Sequence, residues 1–96
     1  MCEFGEVRRV SLLGSGKGAQ GWFKLEDAQV YHDHFIKAQV QEGVVVDLLD
    51  KETGGAVHVC LELDASSAKE LAHAILETVE GLQAKQAEVA RRLARA

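Results

Sequence analysis

Proline is absent from the 96-residue chain. No pyrrolidine ring therefore interrupts the long periodic segment at its C-terminal end. Cysteine is scarce, with Cys2 and Cys60 only. Two are too few for a disulfide framework, and a cytosolic disulfide would be unusual. Long apolar runs are missing too. Nothing approaches the roughly 18 residues a membrane helix needs, and the N-terminus has no signal-peptide layout. These absences predict a cytoplasmic protein with no membrane partner. What is present is globular in balance: 47% apolar residues and 27% charged ones, enough for one domain with a modest core.

The net charge of −4 is unevenly placed. After residue 81, Lys85, Arg91, Arg92 and Arg95 stand against Glu88 alone, a net of +3, so the rest of the chain carries −7. An acidic body argues against nucleic-acid binding. The basic end is either a membrane or RNA patch or a helix terminus matched to its own dipole. The second reading is preferred.

Ser67 to Ala96 organises the chain. Ala68, Ala72, Ile75, Val79, Leu82, Gln86, Val89 and Leu93 recur at steps of four and three, a helical period close to about 3.5 residues. Ser67 and Glu70 have capping-box spacing. Gly81 marks a possible bend. About 28 residues of helix would span roughly 42 Å, more than a small domain can cover. The front half, with Ile75 buried, is expected to seat on a sheet. Residues 82–96 are expected to meet a partner. In heptad terms Ala72, Val79, Gln86 and Leu93 are a positions, and Ala68, Ile75, Leu82 and Val89 are d positions. A homodimer is the first choice of assembly.

Upstream, residues 3–13 read as an edge strand with a bulge at Gly5. Residues 14–21 read as a flexible glycine segment, with Trp22 and Phe23 anchoring it to the core and Glu26-Asp27 as a turn. Residues 28–36, 44–49 and 57–63 read as further strands. A four-residue loop from Lys51 to Gly54 would set Leu48 opposite Val57, Val46 opposite Val59, and Asp47 opposite His58. Val44, Val46 and Leu48 with Val57, Val59 and Leu61 then form the seat for the helix. The fold class expected is α+β: a mainly antiparallel sheet of about four strands with one long C-terminal helix on one face, as a single domain over 1–96.

Several residues are candidates for chemistry. Gly16 to Gly21 formally match G-x-G-x-x-G. Dinucleotide binding needs that loop to open a helix in a βαβ unit, and here a strand follows. An anion nest at Lys17 is the remaining functional reading, against a plain strand connection. His32-x-His34 places two imidazoles on one strand face. His58-x-Cys60 does the same on another strand, and Cys2 adds a soft donor. Zn²⁺ suits such a mixed set. The competing reading is a half-polar sheet face with His58 bonded to Asp47. Cys2, exposed as an N-terminal thiol if Met1 is removed, is a candidate nucleophile.

Met1-Cys2, the segment Gly14-Ser15-Gly16-Lys17-Gly18-Ala19-Gln20-Gly21-Trp22-Phe23, and Ala28-x-Val30-Tyr31-x-Asp33-His34 together resemble a small bacterial family of unknown function. The resemblance runs from the N-terminus to about Leu82. It supplies no catalytic residues, but it draws attention to Cys2, Lys17, Trp22, Asp33 and His34. The ligand-binding candidates are Lys17, Trp22 and Asp33, and the metal candidates are Cys2, His32, His34, His58 and Cys60. Two functions follow. One is a non-catalytic oligomeric module binding a small ligand or zinc. The other is a small enzyme, or enzyme subunit, using Cys2 and His34.

Overall fold

A computed structural model describes residues 6–35, 42–50 and 57–95. Four strands, β1 (Arg8–Gly18), β2 (Gly21–His34), β3 (Glu42–Leu49) and β4 (Val57–Leu63), are followed by one helix, α1 (Ala65–Arg95). The strands form one antiparallel sheet in the order β1-β2-β3-β4. This is the α+β architecture expected, and β1, with Arg8 and Arg9, is an edge strand. The chain divides into two compact units, Met1–Ala65 and Ser66–Ala96. The sheet belongs to the first and nearly all of α1 to the second.

The glycine segment is not a loose connection. It continues β1 to Gly18, turns over Ala19 and Gln20, and enters β2 at Gly21. Among the described residues only Gly21 has positive φ, at 106°. That fits a type I turn closed by a glycine in the position L-residues avoid. Within β1, Gly16 is covered by a neighbour. The Phe23 ring lies over Gly16, its cross-strand partner, close enough that a Cβ there would meet Cζ at 2.6 Å. Trp22 does not anchor to a core; it is 71% exposed. Nor do Glu26 and Asp27 form a turn. They lie inside β2, beside a bulge where Leu12 and Leu13 of β1 stand between the pairs Ser11↔Asp27 and Gly14↔Leu25.

The β3–β4 register differs from expectation by two residues. Leu48 pairs with Val59, Val46 with Leu61, Val44 with Leu63, and Asp47 with Cys60 instead of His58. The connection between the strands is longer than four residues. The step from Leu48↔Val59 to Leu49↔Val57 leaves His58 as an extra residue on β4. A shift of two keeps every side chain on its own face. The more buried face of β3 is nevertheless the other one: Val45, Asp47 and Leu49 are buried, while Val44, Val46 and Leu48 are half-buried. Tyr31 lies on that buried side and bonds Asp47. With Ala28, Val45 and Leu49 make up the buried apolar core, and no large side chain is fully buried among the described residues. The turn expected at 51–54, the bulge at Gly5 and the end of the strand at Ile36 lie outside the described residues.

Helix α1 starts at Ala65, two residues before Ser67. Ser67 is therefore inside the first turn, and Asp64 occupies the residue before the helix, where a short acidic side chain suits the free N–H groups. The helix runs unbroken past Gly81. Thr78 sits mid-helix with its hydroxyl donating to the Ala74 carbonyl at 2.8 Å. Glu88 accepts from Arg91 and Arg92, one turn later. Ile75 is 56% exposed, and no residue of α1 is buried. An apolar stripe at this spacing is the face of a helix that gains stability when it is covered.

Candidate functional site

Strand alternation decides which candidate residues meet. Even-numbered residues of β2, including His32 and His34, share a face with Val44, Val46 and Leu48. Asp27, Gln29, Tyr31 and Asp33 share the opposite face with Val45, Asp47 and, through the next pairing, Cys60 and Glu62.

The first face carries a corner of three polar side chains. His34 pairs across the ladder with Glu42, and His32 is two residues along on the same side. His32 Nε2 lies 3.9 Å from Glu42 Oε1, and His34 Nε2 lies 3.7 Å from Glu42 Oε2. Two imidazoles thus bracket one carboxylate. At these distances the attraction is Coulombic and requires protonated rings. All three side chains are about half exposed, so it is screened. Nothing in the sequence named Glu42, because it lies beyond a connection whose length sets the pairing. Asp33, on the reverse face, accepts a 2.7 Å bond from the backbone N–H of His34.

The reverse face carries a tighter network. Tyr31 donates its hydroxyl to Asp47 Oδ2 at 2.8 Å, and Asp47 is only 7% exposed. The hydrogen bond to that carboxylate, then burial, then the charge of Asp47 push the Tyr31 phenol up to about 12. The Cys60 thiol is pushed up to about 11 by lost hydration, by its bond to Asp47, and by the charges of Asp47 and Glu62. Cys60 as a residue is exposed. The bond to Asp47 and the charges of Asp47 and Glu62 act in the same direction as the lost hydration. Near neutral pH Cys60 is a protonated donor, the opposite of an activated nucleophile or a ready metal ligand.

A third feature is the hairpin tip. Lys17 and Trp22 are cross-strand partners, with Lys17 Nζ 5.9 Å from the Trp22 ring centroid. That is cation–π range, weak at so exposed a site. The tip is extended strand and turn, with no helix opening from it, so the formal dinucleotide motif has none of its required context. Asp33 is not part of this locus. It stands eleven positions from Trp22 along β2, a strand distance on the order of 35 Å.

The expected metal set is not brought together. Cys60 lies on the face opposite His32 and His34. Cys2 lies outside the described residues, as does the side chain of His58. Among the described residues no three His, Cys, Asp or Glu side chains are placed to hold an ion. Among those same residues no helix is long and apolar enough to cross a membrane.

The chain matches a family of unknown function (DUF6295) over residues 1–93. It belongs to that family. The match reaches eleven residues past Leu82, where the resemblance was expected to end. The back half of α1 is thus a family feature and not an appendage. No functionally curated protein and no solved structure is detectably similar to the chain.

Proposed function

We propose that this protein is a non-catalytic, self-associating module. Its helix α1 joins copies of the chain, and its sheet presents the side chains that bind a small ligand. One observation carries the reading: α1 is 31 residues long, none of them is buried, and its stripe is open, with Leu82 at 54% and Leu93 at 71% exposure. Apolar surface left in water is unfavourable by about 25 cal/mol per Å². A second copy is the cover always available at the same concentration, and two-fold assemblies are the commonest. The non-catalytic half of the reading is supported by Cys60, whose thiolate the neighbouring Asp47 and Glu62 carboxylates disfavour, and a cytoplasmic setting suits a free thiol. Light scattering on the full chain is expected to give an oligomer. The double variant Leu82→Asp, Leu93→Asp is expected to give a monomer. A wild-type chain that stays monomeric at high micromolar concentration overturns the reading.

A second reading is that the ligand is a divalent cation such as zinc at His32 and His34, with its other ligands supplied from outside the described residues or by water, since no three of the described donors are placed to hold an ion. Two imidazoles two residues apart on one strand face are donors of the right kind, and their half exposure leaves room for water ligands. Elemental analysis of protein purified without a histidine tag, with chelator melting, tests it. An ion in the wild type, lost in His34→Ala along with its stabilisation, supports the metal. A melting curve unmoved by excess chelator and no metal in the analysis dismiss it.

A further inference from the structure

Resting on the self-association reading, we infer that two copies of α1 pair antiparallel, centred between Glu80 and Gly81. Two independent asymmetries of the helix point there.

The first is charge. From Ala65 to Glu80, Glu70, Glu77 and Glu80 oppose Lys69, a net of −2, and from Gly81 to Arg95 four cations oppose Glu88, a net of +3. Parallel pairing sets the basic halves side by side. Antiparallel pairing sets each basic half against an acidic one. The carboxylates occupy outer heptad positions, so the preference is between halves of the helix and not between specific pairs. It is therefore sensitive to salt. The two helix dipoles also align favourably only in the antiparallel arrangement.

The second is side-chain size. The stripe begins with Ala68 and Ala72 and ends with Val89 and Leu93. Parallel pairing would stack alanine on alanine at one end, leaving space, and crowd leucine on leucine at the other. Antiparallel pairing about the stated centre puts Ala68 across from Leu93 and Ala72 across from Val89. At the middle Val79 meets Leu82. The layers are then more even in volume than in a parallel pair, which favours close packing. The same centre matches every a position with a d position, the geometry that antiparallel helices need. One layer prefers the alternative. Gln86 would meet its own copy in a parallel pair and could bond it, whereas here it meets Ile75. That layer is outweighed by the two alanine layers and the charge.

The test is the distance between spin labels on one cysteine per chain, in the full-length chain carrying Cys2→Ser and Cys60→Ser. Ala94 and Glu80 are both exposed and outside the stripe, so Ala94→Cys and Glu80→Cys should not disturb it. The centred antiparallel pair predicts about 40 Å or more between labels at 94, from 27 residues of axial offset, and on the order of 20 Å between labels at 80. Short distances at both positions mean parallel helices and overturn the inference while leaving self-association intact. Long distances at both overturn the centre. Light scattering on the same labelled samples identifies the remaining outcome: a monomer, with no dipolar signal, ends both the inference and the reading beneath it.

Discussion

Asp47 is the polar residue on which the buried sheet face depends. A carboxylate at 7% exposure needs donors, and Tyr31 and Cys60 supply them. Tyr31→Phe removes one donor and leaves the charge underpartnered, a loss of about 1–3 kcal/mol. Tyr31 is the chain's only tyrosine, so phenolate absorbance reports this network alone. Wild-type titration should fall near 12, against an ordinary value of 10.0. Asp47→Asn, which keeps the shape and removes the charge, should bring it back towards 10. A wild-type midpoint already at 10 would mean the bond does not persist in solution. The sign of the linkage follows. Both groups are raised in the folded state, so the folded chain holds their protons longer than the unfolded one. Their contribution is complete below the unfolded values, near 9 for Cys60 and 10 for Tyr31. It disappears as pH climbs through about 11 and 12. Stability should therefore decline from about pH 9 upward, and less steeply in Asp47→Asn. In the sequence only part of this network was legible. Alternation put Asp47 and Cys60 on one face, but which of His58 and Cys60 would lie opposite Asp47 depended on the length of a connection.

At the scale of elements, alternation and heptad spacing identified the four-strand sheet and the long helix, because both periods are written in the positions of the apolar residues. The glycine segment misled for the same reason: glycine has no side chain to alternate. Its strand character comes from cross-strand cover, Phe23 over Gly16, which a local reading cannot see. Ser67 misled because a helix start is decided by the residue that leaves the strand, here Asp64, as much as by the box spacing. Gly43 was likewise silent in the sequence. A Cβ there would meet the Leu63 carbonyl oxygen at 2.6 Å, a backbone atom that cannot swing away, whereas a Cβ at Gly14 meets nothing within 4 Å. Gly43→Ala should lower the thermal midpoint by the equivalent of about 1–3 kcal/mol. Gly14→Ala, on the same sheet, should stay within about 0.5 kcal/mol of wild type. Equal midpoints for the two variants would show that β3 and the end of β4 do not approach so closely.

At the scale of the molecule, the buried apolar residues described are few and small, Ala28, Val45 and Leu49, while Ile75, Leu82 and Leu93 are all more than half exposed. An amphipathic helix gains most of its stability from packing its apolar face. If copies associate through that face, folding and association are linked, and the thermal midpoint must depend on concentration. Each tenfold rise in protein concentration adds about 1.4 kcal/mol per dimer. Circular dichroism across three decades of concentration should show the helical signal melting later at each step. In the Leu82→Asp, Leu93→Asp variant the dependence should vanish and the helical signal should be low throughout. The Tyr31 titration supplies a second reporter, confined to the sheet. If it keeps its raised midpoint in that variant while the helical signal is lost, the sheet folds without the assembly and the helix alone depends on it. If the Tyr31 midpoint falls to its ordinary value together with the helical signal, the two compact units fold as one linked system. A helical midpoint that ignores concentration in the wild type would mean that α1 is stabilised within a single chain, and the proposed assembly would then have no thermodynamic basis.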